Sequence, residues 1–181
     1  MNREEALKLL NEKMKNANLV KHCLAAEACM KELARRFNAD EDLWGLAGLL
    51  HDIDYEETNA DPARHGLVSA EILEKLGLPS EAVHAIRVHS GHAPAQSPID
   101  WALYATDPLT GLIVASALMH PSKKLNSLDL EFLVRRYKEK RFAAGANREQ
   151  ILSSANLGID LNDFIALCLK GMQGVSDQLG L

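Results

Sequence analysis

The stretch Leu46-Ala47-Gly48-Leu49-Leu50-His51-Asp52-Ile53-Asp54-Tyr55-Glu56 constrains the fold more than any other part of the chain. A nearly uninterrupted apolar run delivers an adjacent histidine and aspartate, then breaks into acids. Such a run predicts a buried helix. A carboxylate taken into that environment loses its water, so Asp52 needs a compensating partner. A divalent cation held jointly with His51 meets the need. A His–Asp hydrogen bond that only steadies the core is the plainer alternative.

The 181 residues suit one domain with a single good core, and 47% hydrophobic with 25% charged residues is an ordinary globular balance. A net charge of -5 gives no global attraction to nucleic acid or membrane. The amino terminus has no signal-peptide core, and no apolar run is expected to span a bilayer. The three cysteines, Cys23, Cys29 and Cys168, have no metal-finger spacing. They read as reduced, buried thiols of a cytoplasmic protein. Leu, Ala, Glu and Lys dominate, and alternating β-branched runs are missing, so the fold class is all-α. Nothing divides the chain into two domains.

Taken in order, residues 3–15 predict a short amphipathic helix. Residues 17–37 predict a second, whose stripe is Leu19, Cys23, Ala26, Met30, Leu33 and Phe37. His22 flanks that stripe, in line with Ala26, Cys29 and Leu33. A third helix runs from about Glu41 to the His51-Asp52 pair. Asp61-Pro62 reads as the start of a fourth, with Gly77 as its stop, which places His65 on one face with Val68, Ser69, Ile72 and Leu76. On the fifth, His89 shares the face of Ala82, Ala85 and Ile86, whereas His84 points to the surface. His92 follows in a loop, at the rim of the same cavity.

Ser97-Pro98-Ile99-Asp100 is a helix start. The helix it opens meets Asp107-Pro108, where the proline should bend the chain. Asp107 is then either a charge needing a partner or, like Thr110, a cap for a helix over Gly111–Met119. His120 reads as a partner for a helix C-terminus. Between Lys123 and Arg148, Lys123, Lys124, Arg135, Arg136, Lys138, Lys140, Arg141 and Arg148 face only Asp129, Glu131 and Glu139. This cluster suits an anion such as phosphate, with a solvated helix face as the alternative. Helices over 147–156 and 161–179 are expected to pack the outside of the bundle.

His22, His51 with Asp52, His65, His89 and Asp107 come from five separated segments, each facing inward. Imidazole and carboxylate ligands without thiolate favour iron, manganese, cobalt, nickel or zinc, and magnesium stays open as the divalent ion. Six ligands exceed the need of one ion that must also bind water and substrate. Two ions bridged by Asp52 would use them all.

The order His22, His51-Asp52, Asp107 resembles the HD superfamily of metal-dependent phosphohydrolases, and "LAGLLHDID" resembles its HDIG subgroup, with Asp54 where that subgroup carries glycine. His65 and His89 resemble the extra ligands of two-metal members, including bacterial diadenosine polyphosphate hydrolases. The resemblance covers roughly residues 17–115, leaving helices over 116–181 to pack on that core. It implies a helical bundle around a central metal site with one or two divalent ions. It also implies hydrolysis of a phosphate ester or anhydride, of a nucleotide or similar small phosphate, by a water that the cations activate. His22, His51, Asp52 and Asp107 would hold the first ion, and Asp52, His65 and His89 the second. His92 would bind phosphate or protonate the leaving group, and Asp54 and Glu56 would orient a water or a ligand histidine. Lys123, Lys124, Arg141 and Arg148 are the phosphate contacts expected from the basic cluster. Two other functions stay open: a metal- and nucleotide-sensing module without turnover, and a di-iron HD oxygenase. Homo-oligomerisation stays open as well.

Overall fold

The computed structural model describes residues 1–181 and contains helices and turns without a sheet. Its helices are α1 (Arg3–Lys13), α2 (Ala17–Phe37), α3 (Glu41–Leu50), α4 (Tyr55–Thr58), α5 (Leu67–Lys75), α6 (Ser80–His89), α7 (Pro98–Met119), α8 (Leu130–Lys138), α9 (Arg148–Leu152), α10 (Leu161–Gln173) and α11 (Ser176–Leu179). The bundle is all-α, as its composition implies.

The axis of the bundle is α2, which packs against α3, α7 and α10. Two glycines set how closely its neighbours approach. A β-carbon at Gly48 of α3 would fall 2.7 Å from the Ala26 carbonyl oxygen, and one at Gly171 of α10 would fall 2.5 Å from that of Ala28. Neither position tolerates a side chain, so α2 is clasped on two sides at backbone contact. Phe164, Ile165, Cys168 and Met172 of α10 are buried in the same core as Leu33 and Leu50. α10 thus packs on the bundle through a deeply buried face. The segment expected as one helix over 161–179 is split into α10 and α11, and that over 147–156 into α9 and a 3₁₀ turn, Ser153–Leu157.

The fourth predicted helix does not begin at Pro62. A 3₁₀ turn, Pro62–Arg64, leads to extended His65 and left-handed Gly66 (φ 77°), and only then does α5 start. The buried carboxylate of Asp54 accepts hydrogen bonds from the backbone N–H groups of Gly66 (2.7 Å) and Ser69 (2.9 Å). A remote side chain thus caps α5, which the local sequence does not reveal.

Pro108 does not bend the chain apart either; α7 continues through it. Proline withholds the N–H that would bond the carbonyl four residues back, at Tyr104. The Gln150 side-chain amide donates to that carbonyl at 2.8 Å and replaces the missing bond. By length and composition α7 is apolar enough to cross a membrane, contrary to the sequence expectation, but here it is a core helix packed against α2, α6, α9 and α10.

Candidate metal centre

The turn after α3 carries His51 and Asp52 into the middle of the bundle. His22 comes from α2, His65 from the turn before α5, His89 from the end of α6 and Asp107 from α7. All six residues named from the sequence converge. One corner is a triangle of His22 Nε2, His51 Nε2 and Asp107 Oδ1, with separations of 3.2, 3.1 and 3.8 Å. The other is a triangle of His65 Nε2, His89 Nε2 and Asp52 Oδ1, with separations of 3.3, 3.4 and 3.3 Å. Asp52 stands between them: its Oδ2 is 3.5 Å from His22 Nε2, and its Oδ1 also lies 3.4 Å from His51 Nε2. Two imidazole nitrogens at adjacent positions around one octahedral ion would sit about 3 Å apart, given metal–nitrogen bonds near 2.1 Å.

The donor chemistry supports the same fit. His51 Nδ1 donates to the Gly48 carbonyl (2.8 Å), His89 Nδ1 to that of Ile86, and His65 Nδ1 to the Asp54 carboxylate (3.0 Å). The Thr110 hydroxyl donates to the Asp107 carbonyl (2.8 Å), so its oxygen accepts from His22 Nδ1 (3.0 Å). Every Nδ1 is therefore tied outward, so each ring, when neutral, aims a bare Nε2 lone pair inward. This is the tautomer that metal ligation requires. The residues fit one or two divalent ions.

Without an ion, the crowded carboxylates draw protons onto these rings, in competition with a metal. Burial pulls the His51 pKa down, but the charges of Asp52 and Asp107 more than offset it and push it up to about 9. Burial works against ionisation of Asp52, yet the His51 charge and the His89 hydrogen bond hold its carboxyl well below the usual range. Asp107 is held low in the same way by His22 and His51. His51 and His89 are sealed in the core. The side chains of His22 and Asp107 are 23% and 29% exposed, so that corner faces a way in.

The remaining expectations fare differently. Asp54 is fully buried behind His65 and orients it. Glu56 does not reach the centre: it accepts from the backbone N–H groups of Lys15 and Asn16, at the turn into α2. Exposed His92 donates from Nε2 to the His65 carbonyl (3.0 Å), which places it at the rim. His84 is not a free surface residue; its Nδ1 is 3.1 Å from both carboxylate oxygens of buried Asp100, the N-terminal cap acid of α7. Arg148 spends all five N–H donors on the carbonyls of Tyr137, Glu139, Phe142, Ala143 and Ala146, which leaves none for phosphate. Lys123, Lys124 and Arg141 are exposed, and none lines the cavity beside His22. One residue escaped the sequence reading: Thr110 was weighed only as a cap.

The HD domain family matches residues 19–120. The chain belongs to that family, and it carries the His/Asp cluster of HD-type phosphohydrolases. A ribonuclease Y of Desulfotalea psychrophila is 30% identical over 94 residues, covering 52% of this chain and 18% of its own length. An uncharacterized protein of Methanocaldococcus jannaschii is 37% identical over 93 residues, covering 49% of this chain and 53% of its own. A ribonuclease Y of Sulfurovum is 25% identical over 184 aligned positions, covering 97% of this chain and 36% of its own. The chain thus spans from under a fifth to about half of the length of these relatives. No solved structure matches.

Proposed function

We propose that this protein is a metal-dependent phosphohydrolase acting on a phosphate ester or anhydride of a nucleotide or similar small phosphate. The observation that carries the reading is the set of four histidines tied outward at Nδ1, whose Nε2 atoms converge with two carboxylates. His22, His51, Asp52 and Asp107 would hold one ion, and Asp52, His65 and His89 a second. Such ions supply a water of lowered pKa and neutralise charge on the phosphoryl oxygens. The protein's own part is to fix the ligands before substrate arrives. Thr110 holds the His22 ring and Asp54 holds the His65 ring, so neither has to reorganise. His92 is tied at Nε2, which leaves Nδ1 at the rim for a phosphate contact or for passing a proton to the leaving group. The three free, buried cysteines fit a reducing compartment and support a cytoplasmic location. The burial of α10 against α2 supports all 181 residues acting as one unit.

A second reading takes RNA as the substrate. It is favoured by the alignment to a ribonuclease Y along 97% of this chain.

Elemental analysis of purified protein, followed by a hydrolysis screen, tests both readings. The screen takes phenyl phosphate, nucleotides, dinucleoside polyphosphates and RNA with manganese, iron, cobalt, nickel and magnesium. Metal and turnover are expected to vanish together in His51→Ala and Asp52→Ala. Retention of full metal content by both variants, or turnover that survives chelation, would overturn the assignment.

A further inference from the structure

A cavity of about 530 Å³ opens beside His22 of the metal centre. Its walls come from α2, α7 and the turn Leu179–Leu181. His22 and Thr110 are among its lining, and Val114, Leu118 and Leu179 give it an apolar side. No acidic side chain lines it. Half-buried Lys21 does line it and makes no ion pair with an Asp or Glu side chain. A β-carbon at left-handed Gly180 would fall 3.1 Å from Lys21 Nζ, so the backbone of that turn lies close against the ammonium.

An ammonium that no Asp or Glu side chain pairs, in a cavity that also reaches the candidate ligand His22, is placed for an anion. The apolar side calls for an organic group. The volume lies in the range that holds one small molecule and its hydration. A nucleic-acid strand would ask for several cations along a groove, whereas this cavity offers one lysine. Gly111 supplies a further observation. It sits inside α7, where glycine weakens a helix relative to alanine, yet a β-carbon there would meet nothing within 4 Å. Packing does not require the glycine, and the position borders open space on the cavity wall.

We propose that this cavity seats the organic group of a compact, nucleoside-sized phosphomonoester, and that Lys21 binds its phosphoryl oxygens beside His22. The inference rests on the phosphohydrolase reading and names the part of the molecule that selects its substrate. Lys21 is then a substrate-binding residue, and Gly111 and Val114 set the size limit.

The test uses 5′-nucleoside monophosphates, phenyl phosphate and a ten-nucleotide RNA as probes. Binding is measured by calorimetry on chelator-treated protein, and KM and kcat on the metal-loaded protein. Lys21→Ala is expected to raise Kd and KM for the monophosphates by roughly 10- to 100-fold, the loss of a charge-assisted bond. Gly111→Phe is expected to abolish nucleotide binding while Gly111→Ala keeps it. All three variants should retain wild-type metal content and melting temperature. Equal Kd and KM in wild type, Lys21→Ala and Gly111→Phe would overturn the proposal, as would a failure of every monophosphate to bind. RNA binding that exceeds all monophosphates and ignores Gly111→Phe would overturn it in favour of a polymer. Binding that follows these expectations without turnover of any probe would sink the hydrolase reading and leave the subsite standing.

Discussion

Thr110 shows how much a single hydroxyl decides. Its proton goes to the Asp107 carbonyl and its lone pair takes the proton of His22 Nδ1. One residue thereby fixes both the tautomer of a histidine on α2 and the local geometry of the aspartate on α7. Valine at 110 keeps nearly the same shape and removes the acceptor. The His22 ring is then free to turn or to move its proton to Nε2, where it would block ligation. Thr110→Val is expected to lower metal affinity by about 10- to 100-fold with little change in helix content, the usual cost of losing an outer partner of a ligand. Metal titration alongside circular dichroism checks it, and an unchanged affinity would make the hydroxyl a packing detail.

At the scale of elements, the approach of α2 to α3 is what brings His22 within 3.2 Å of His51. Gly48 permits it, and its carbonyl also accepts from His51 Nδ1. Gly48→Ala forces a methyl against the backbone of Ala26 and Glu27, neither of which can move without shifting α2. Such overpacking costs about 1–3 kcal/mol. The expected result is a lower melting temperature together with a weakened metal site; a stable variant with normal metal content would show that α2 and α3 can slide apart harmlessly. The inward face of α2 was legible in the spacing of Cys23, Ala26 and Met30, and His22 with it, because helical periodicity is a local signal. The path into α5 was not legible. It depends on Asp54 reaching across to Gly66 and Ser69, a contact between segments that periodicity does not encode. Pro108 misled for the same reason: its vacant carbonyl partner is filled by Gln150, 46 residues beyond Tyr104.

For the whole molecule, the convergence of six ligands was readable because burying a charge demands a partner, whatever the fold. What surrounds them was not: Arg148 looked like a free cation until a loop of carbonyls enclosed it. The same burial links the centre to global stability through pH. In metal-free protein His51 has its pKa raised from 6.5 to about 9, and that of His65 is raised as well. A raised histidine contributes stability in full below its unfolded value and loses it as pH climbs through the folded one. Asp52, Asp54 and Asp107 are lowered from 3.8, so their contribution is present above that value and is lost as pH falls through their folded values. Metal-free protein should therefore be most stable between about pH 4 and 6.5 and weaken steadily toward pH 9. Divalent ions need the unprotonated rings, so their affinity rises over the window in which the metal-free protein weakens. Calorimetric melts of chelated and manganese-loaded protein should accordingly diverge, the gap in Tm widening from pH 6.5 to 9. A gap that stays constant across this window would mean that no proton leaves His51 when the ion arrives, and His51 would lose its place among the ligands.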